Sequence, residues 1–209
     1  MAPLDLGPVP VTTRPWRRLP QLAGGLALYG ASMGLMIRGG LGLDPWDVLH
    51  DALARRTGLT FGTITAIVGA LVLLCWIPLR QRPGVGTVAN IVLIAVAVDA
   101  TLALVGPADA MAVRIVLMIA GVVLNALATA AYIGVRLGPG PRDGLMTGLV
   151  ARTGVSVRVI RTGIELAVLA TGWLLGGTVG VGTVVYALAI GPLTQAFLPL
   201  VTWRGTIVR

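Results

Sequence analysis

Two segments of the chain carry the residue types that could do chemistry, and they are copies of one motif. Residues 41–58 (LGLDPWDVLHDALARRTG) align without a gap on residues 137–154 (LGPGPRDGLMTGLVARTG), at an offset of 96, with nine of 18 positions identical. In each copy Gly and Pro precede an Asp, and Thr-Gly closes the segment. This pattern predicts a short helix with Pro in its first turn, a carboxylate near its positive end and a Gly cap. The candidate motif residues are Pro45, Trp46, Asp47, His50, Pro141, Arg142 and Asp143.

Two interpretations of these motif helices are open. In the first, each is an amphipathic helix at the membrane interface, where Asp51 pairs with Arg55 and the motif carboxylates are caps. In the second, the helices enter the protein from opposite faces, and their N-terminal ends meet at a substrate site. His50 is then a group that titrates near neutral pH, or simply a polar-face residue. Arg142 is either a ligand for an anionic group or a loop arginine that follows the positive-inside bias.

Polar side chains inside otherwise apolar stretches are the second set of candidates. A carboxylate in a bilayer is costly, so Asp99 is interpreted as a proton-coupling or cation-contacting group. The offset of 96 relates three polar pairs, which are Asp99 and Gln195, Asn90 and Tyr186, and Tyr29 and Asn125. These pairs either line a polar interface between the repeats or form ordinary interhelical hydrogen bonds. Arg161 and Glu165, four residues apart, are expected to form a structural ion pair.

The elements that must position these residues are long apolar helices. The 209-residue chain is 56% hydrophobic and 11% charged, with a mean hydropathy of +0.91, whereas an ordinary soluble domain is about 25% charged. This composition excludes a disordered chain, a coiled coil and almost any soluble enzyme. A membrane helix needs about 20 apolar residues, and the apolar runs predict six spans, at about 20–37, 61–79, 84–105, 115–135, 159–177 and 181–202.

The distribution of arginines predicts the orientation in the membrane. All 16 basic residues are Arg, and a cytoplasmic N-terminus places 12 of them inside and four outside, as the positive-inside rule requires. The expected organisation is a flexible cytoplasmic tail over 1–19, a three-helix repeat over 20–105, a second over 113–202, and a cytoplasmic tail over 203–209. The expected location is the bacterial inner membrane, with both termini cytoplasmic.

The repeat predicts the fold class. We expect an all-α membrane protein with six transmembrane helices as two inverted three-helix repeats, each with a short Gly/Pro-led helix between its first and second spans. Three spans per repeat make the second repeat enter the bilayer from the opposite side, a plan that secondary transporters often use. The chain has no Walker loop and no HExxH motif, and its single His and single Cys cannot form a zinc site. We expect no enzyme activity, no cofactor, no metal and no nucleic-acid partner.

The strings GLGLDPWDVLH (40–50), ARRTG (54–58) and GVGTVAN (84–90) resemble those of the YczE/YitT-like bacterial membrane proteins, above all their actinobacterial branch. The resemblance covers roughly residues 17–202. It implies a polytopic inner-membrane protein, often interpreted as a permease, with no settled substrate and no catalytic residues. The second copy departs from the motif, with Arg142 where the first has Trp46 and Met146 where it has His50.

The sequence therefore favours a small-solute permease that works by alternating access, with the lipid bilayer and an unidentified small solute as its partners. The alternatives are a non-transporting scaffold or regulatory partner of another membrane protein, and a lipid-handling membrane protein. Small-residue ridges such as Gly30 and Gly34 also allow close helix packing within the chain or in a homodimer.

Overall fold

The computed structural model describes residues 9–203, and all regular structure within that range is helical. Its eight helices are α1 (Pro15–Gly39), α2 (Pro45–Thr57), α3 (Phe61–Leu79), α4 (Val85–Leu104), α5 (Met111–Gly134), α6 (Pro141–Thr153), α7 (Val157–Leu174) and α8 (Val181–Val201). The six long helices coincide with the predicted apolar spans, and the short helices α2 and α6 coincide with the motif copies. The predictions of an all-α fold and of a short helix in each motif are confirmed.

The offset of 96 found in the sequence recurs in the backbone. The first residues of α1, α2, α3 and α4 lie 96 positions before those of α5, α6, α7 and α8. Positive φ angles recur at the same offset, at positions 40 and 136, 42 and 138, 58 and 154, and 80 and 176. Each half of the chain is therefore one four-helix unit, with turns of the same kind at the same positions.

Local sequence signals set the ends of the short helices. Asp44 is the N-cap of α2, and its carboxylate accepts two backbone amides of the first turn. Pro45 and Pro141 occupy the first helical position, where the missing N–H has no partner to lose. Gly58 and Gly154 follow the last turns with φ of 73° and 71°, a conformation that favours glycine.

The two units exchange their short helices. α2 packs mainly against α7 of the second unit, and α6 packs mainly against α3 of the first. Matching backbone hydrogen bonds accompany this exchange: the Gly182 amide donates to the Leu41 carbonyl at 2.7 Å, and the Gly86 amide donates to the Leu137 carbonyl at 3.0 Å. A Cβ atom at Gly86 would lie 2.9 Å from that same carbonyl oxygen, so the contact requires glycine. The start of α4 thus packs on the turn before α6, and the start of α8 on the turn before α2.

Side-chain hydrogen bonds between helix ends show the directions of the long helices. At one end of the bundle, Gln21 of α1 donates to the carbonyls of Ala131 in α5 and Val201 in α8. At the other end, Arg114 at the start of α5 donates to the carbonyl of Gly39 at the end of α1. α1 therefore runs antiparallel to α5 and α8, and both ends of the described chain lie at the same end of the bundle.

The N-terminal boundary differs from the expected tail over residues 1–19, because α1 begins at Pro15. Arg18 is buried, and its guanidinium donates hydrogen bonds to five backbone carbonyls, those of Val9, Pro10, Thr13, Val135 and Arg136. These bonds attach residues 9–14 to the end of α5. Residues 1–8 and 204–209, which include Arg204, Arg209 and most of the expected C-terminal tail, lie outside the described residues.

The outer faces of the long helices are apolar. Ile77 on α3 is 73% exposed, Leu104 on α4 is 85% exposed and Leu188 on α8 is 73% exposed. Soluble monomers rarely expose large contiguous apolar patches. Four of the helices that the structure describes, α3, α4, α5 and α8, are long and apolar enough to cross a membrane. α7 has three charged residues among its 18, and α1 has Arg17 and Arg18 in its first turn and Arg38 in its last.

Candidate functional site

The N-terminal ends of α2 and α6 meet inside the bundle. The guanidinium of Arg142, the second residue of α6, lies 3.8 Å from the carboxylate of Asp44 and 3.7 Å from that of Asp47. The same guanidinium lies over the ring of Trp46, 4.9 Å from its centroid. This geometry agrees with the interpretation in which the motif helices meet, and not with two separate helices on the surface.

Asp44 and Asp47 are buried carboxylates, 2% and 1% exposed. Asp44 accepts hydrogen bonds from the backbone amides of Trp46 at 2.8 Å and Asp47 at 2.9 Å. Asp44 is therefore the cap of α2, which corrects the capping role considered for Asp47. Burial raises the pKa of both carboxyl groups to about 6 because it disfavours their charged form, and Arg142 opposes the shift. The pair can therefore take up or release a proton near neutral pH.

His50 presents a nitrogen without a partner inside the protein. Its Nδ1 lies 3.1 Å from Asp47 Oδ1 and 3.3 Å from Thr65 Oγ1. The Thr65 hydroxyl donates its own hydrogen to the Phe61 carbonyl at 2.9 Å. Both neighbours of Nδ1 are therefore acceptors, and we assign the ring proton to Nδ1. Nε2 then carries a lone pair, and it is buried with no hydrogen-bond partner among residues 9–203.

The protonation state of His50 follows from its surroundings. Burial, followed by the charge of Arg142, lowers the pKa of the imidazole to about 3. The ring is therefore neutral at physiological pH, and Nε2 is an acceptor.

Asp143 occupies in α6 the position that Asp47 occupies in α2. Its Oδ2 accepts a hydrogen bond from the Tyr132 hydroxyl at 2.6 Å, so its partner is a side chain of α5, which corrects the capping role considered for it. Within the described part of the chain, no cationic group lies within 4 Å of this carboxylate. The Tyr132 ring packs edge-on against Tyr29, with centroids 6.1 Å apart. A neutral donor thus holds Asp143 in place of an ion pair.

A cavity of about 270 Å³ lies between these residues. Both short helices and side chains of all six long helices line it. Many lining positions are related by the offset of 96, including 45 and 141, 46 and 142, 50 and 146, 68 and 164, 90 and 186, and 94 and 190. The cavity therefore lies where the two units face each other.

Most of the polar span residues singled out in the sequence are at this cavity. Four of the six line it, namely Tyr29, Asn90, Tyr186 and Gln195. Asn125 lies behind the wall, where its Oδ1 accepts a hydrogen bond from the Tyr186 hydroxyl at 3.0 Å. Its Nδ2 donates to Ser32 Oγ at 2.9 Å. The repeat-related polar residues thus both line the cavity and form interhelical hydrogen bonds.

Residues 16–199 of the chain match DUF6198, a family of unknown function. The chain belongs to this family. It is 37% identical over 189 residues to an uncharacterized protein of Haemophilus influenzae, an alignment that covers 90% of this chain and 87% of that protein. It is 34% identical over 177 residues to the uncharacterized membrane protein YczE of Bacillus subtilis, with 84% of this chain and 82% of that protein covered.

The resemblance to YczE-like proteins is confirmed by these matches. Together with the apolar outer faces of the helices, they make this DUF6198 member a multi-pass membrane protein. No solved structure matches the chain.

Asp99 lies away from the cavity, although its repeat equivalent Gln195 lines it. Its Oδ2 accepts a hydrogen bond from Thr60 Oγ1 at 2.6 Å, and its Oδ1 accepts one from the Gly62 amide at 2.7 Å. The carboxylate thereby caps the first turn of α3, where a negative charge stabilises a helix. The coupling role of Asp99 stays a prediction, and its contacts give the residue a structural role.

Two ion pairs flank the site. Arg161 Nε lies 2.9 Å from Glu165 Oε1, and both residues border the cavity. On α2, Arg55 Nε lies 2.9 Å from Asp51 Oδ1. Asp51 Oδ2 also accepts hydrogen bonds from the amide and hydroxyl of Thr178, at 2.9 and 2.7 Å. This second cluster therefore attaches α2 to the segment between α7 and α8.

Sequence reasoning missed Asp44, Thr65 and Tyr132. An Asp directly before a Pro at the first helical position is an N-cap signal, so Asp44 could have been found. The repeat does not mark this residue, because its equivalent in the second copy is Gly140. Thr65 and Tyr132 lie in apolar helices, and no local pattern distinguishes them from hydroxyl groups that bond only within their helix.

Proposed function

We propose that this DUF6198 member is a small-solute permease that works by alternating access, with the cavity between α2 and α6 as its central binding site. In this proposal the six long helices cross the bacterial cell membrane as two inverted three-helix units, and both termini are cytoplasmic. The antiparallel course of α1 and α5, the first helices of the two units, supports the inversion. The arginine distribution supports the cytoplasmic location of the termini.

One observation carries the proposal: two short helices from opposite ends of the bundle meet by their N-terminal ends at a cavity with unpaired polar groups. At its other end, α2 contacts the end of α7, where Arg56 binds the Leu175 carbonyl. α6 contacts the end of α3, where Arg152 binds the Pro78 carbonyl. Interrupted helices that meet in this way form the substrate sites of many secondary transporters. A purely structural core fills such a space and pairs its buried nitrogen atoms.

The exposure of the cavity wall supports access from one end. Gln195 and Arg161 are exposed, and they lie toward the end of the bundle that holds both described termini. Their repeat equivalents are Asp99, which is bound to Thr60, and Thr65, which is 8% exposed. When the second unit adopts the closed arrangement of the first, and the first adopts the exposed arrangement of the second, the opening near the described termini closes and one forms at the opposite end. This is the step that alternating access requires.

In this proposal Asp44 and Asp47 carry the coupling proton. They are buried together at the start of α2, and Arg142 is the cation that faces them both. Protonation of one carboxyl group removes one of the two charges that attract Arg142, so it weakens the contact between α2 and α6. Proton binding is thereby linked to the contact between α2 and α6, through which the two units meet at the cavity.

Single cysteines in a Cys75→Ser background test both the topology and the access. Thr57 and Thr153 are repeat equivalents, exposed at the ends of α2 and α6. With a membrane-impermeant thiol reagent added to one side of the membrane at a time, we expect Thr57→Cys to react only from outside and Thr153→Cys only from inside. Met146→Cys, in the cavity, is expected to react from both sides, because the protein exposes the cavity alternately.

Two outcomes of this labelling experiment contradict the proposal. Reaction of Thr57→Cys and Thr153→Cys from the same side overturns the inverted topology. Reaction of Met146→Cys from one side only, with both control positions labelled as expected, shows a fixed pocket and overturns alternating access. Cys75 is exposed, so its replacement by Ser removes the one background thiol without disturbing the site.

A further inference from the structure

The charged groups around the cavity leave a net negative charge. Its wall includes the carboxylates of Asp44 and Asp143 and the guanidinium of Arg142, and the Asp47 carboxylate lies behind this wall, 3.7 Å from the same guanidinium. Arg161 and Glu165 neutralise each other as an ion pair. The formal charge is therefore −2, or −1 when Asp44 and Asp47 share one proton. The positive ends of α2 and α6 offset part of this charge, but they do not reverse it.

The uncompensated charge is located at Asp143. Arg142 faces Asp44 and Asp47 and stacks on Trp46, so its positive charge is directed toward α2. Asp143 receives only the Tyr132 hydroxyl, a neutral donor. Asp143 is half-buried, and a carboxylate at the cavity wall that no cation pairs attracts a positively charged ligand.

The unpaired acceptor in the wall specifies the ligand further. His50 is 1% exposed and lines the cavity, and its Nε2 has a free lone pair with no partner in the described chain. A neutral imidazole nitrogen of this kind accepts a hydrogen bond and cannot donate one. A ligand with an N–H or O–H group supplies the partner that this nitrogen lacks.

The rest of the wall favours an organic ligand over a hydrated metal ion. Val68, Val72, Ile94 and Ile190 supply apolar surface, and the rings of Tyr29 and Tyr132 border the same space. Apolar and aromatic walls suit the carbon skeleton of a solute, and aromatic faces attract cations. Hydrated inorganic cations instead need several oxygen ligands around one point.

We propose that the cavity binds a small organic ammonium ion, with the Asp143 carboxylate as its charge partner and His50 Nε2 as the acceptor for one of its N–H groups. This inference rests on the proposed permease function and names the substrate class of the same site. Tyr132 is then a positioning residue, because its hydroxyl fixes the orientation of Asp143. The ligand replaces the missing cation beside Asp143 and pairs the free nitrogen of His50.

Four probes of equal chain length separate charge from shape. Isothermal titration of the purified full-length protein with n-butylammonium, butyrate, 4-aminobutyrate and 1-butanol compares a cation, an anion, a zwitterion and a neutral solute. We expect n-butylammonium to bind at least tenfold more tightly than the other three. Tetramethylammonium, which has charge but no N–H, is expected to bind more weakly than n-butylammonium because it cannot pair with His50.

Variants assign the binding to Asp143. Asp143→Asn is expected to weaken n-butylammonium binding at least tenfold, whereas Asp143→Glu keeps the charge and retains more of the affinity. Asp109→Asn removes an exposed carboxylate outside the cavity and is expected to leave binding unchanged. A thermal unfolding curve for each variant identifies those that fail to fold, and the comparison of the Asn and Glu variants then rests on folded protein.

Three results overturn the inference. These are preferred binding of butyrate or 4-aminobutyrate, n-butylammonium binding that folded Asp143→Asn retains in full, and no binding of any probe. The cysteine labelling experiment keeps this failure distinct from that of the permease itself. If Met146→Cys reacts from both sides and no ammonium ion binds, the substrate class alone is wrong. If Met146→Cys reacts from one side only, the permease proposal is wrong.

Discussion

Arg142 lies over the ring of Trp46, 4.9 Å from its centroid, and the two residues occupy equivalent positions in the two repeats. This contact between equivalent positions lies where the two units meet. The sequences of the repeats have diverged at this point, so that one unit supplies a cation and the other an aromatic face. Two arginines here would repel each other, whereas the observed pair attracts.

The first prediction concerns the replacement of Arg142 by alanine. This change leaves Asp44 and Asp47 buried without their cation, and loss of one partner from a buried ion pair costs about 3 kcal/mol. We expect the variant to melt well below the wild type at pH 8. At pH 5 the difference is expected to shrink, because both carboxyl groups have a pKa of about 6 and are then largely protonated. Thermal unfolding in detergent at the two pH values measures the effect.

Arg158→Ala is the matched control for this prediction. Arg158 lies exposed near the start of α7, outside the cavity, and its removal is expected to change the melting temperature little at either pH. A loss of stability in Arg142→Ala that is equal at pH 5 and pH 8 contradicts the assignment of Arg142 as the counter-ion of the two carboxylates.

The second prediction concerns the pH dependence of stability without ligand. The pKa of Asp44 and Asp47 is raised from 3.8 to about 6, so the folded protein binds more protons than the unfolded chain in that range. Their contribution to stability therefore falls as the pH rises from about 4 to 6. The pKa of His50 is lowered from 6.5 to about 3, so its contribution rises with pH over that interval. We expect the two effects largely to oppose each other in the wild type.

Variants separate the two contributions. His50→Gln is expected to lose stability as the pH rises from about 4 to 6, because only the carboxyl groups then titrate. The double variant Asp44→Asn, Asp47→Asn is expected to gain stability over the same range, because the lowered pKa of His50 is then no longer opposed by the raised pKa of the two carboxyl groups. Melting temperatures at half-unit intervals of pH measure both slopes, and slopes of the same sign in the two variants disprove the opposition.

The fold was predictable from the sequence to the extent that it follows local signals. Apolar length predicted the six long helices, and the Gly, Pro and Asp of the motif predicted α2 and α6 with their C-terminal glycine caps, though not the N-cap Asp44. The shared offset also led to Tyr186 and Gln195, which line the cavity. These features depend on periodicity and on residues adjacent in the chain, which a sequence displays directly.

The composition of the site was less predictable, because it depends on contacts between distant segments. The sequence does not show that α2 packs against α7 and α6 against α3, and this exchange brings Arg142 to Asp44. Asp44 and His50 occur in one copy only, with Gly140 and Met146 at the equivalent positions. Repeat symmetry therefore does not mark them, yet both line the cavity where the two units meet.

The third prediction concerns Asp99. Its carboxylate binds Thr60 and the amide of Gly62, so Asp99→Ala is expected to lower stability by about 1–2 kcal/mol through loss of the α3 cap. Binding of n-butylammonium is expected to persist, because Asp99 does not line the cavity. Titration and thermal unfolding of the same preparation measure both quantities. A folded Asp99→Ala variant that has lost binding while its stability is unchanged restores the coupling role expected from the sequence.

The last prediction tests the packing of α2 on α7, which holds one half of the site in place. A Cβ atom at Gly172 would lie 2.5 Å from the backbone nitrogen of Leu49 and 2.8 Å from the carbonyl carbon of Val48. Gly172→Ala is therefore expected to push α2 away from α7, at a cost of about 1–3 kcal/mol, and to weaken n-butylammonium binding.

Gly163→Ala on the same helix is the control, because nothing lies within 4 Å of a Cβ atom there. Alanine at that position is expected to be neutral or to stabilise α7 by up to about 1 kcal/mol. Equal melting temperatures for the two variants contradict the close contact, and with it the arrangement that brings His50 and Asp44 to the cavity.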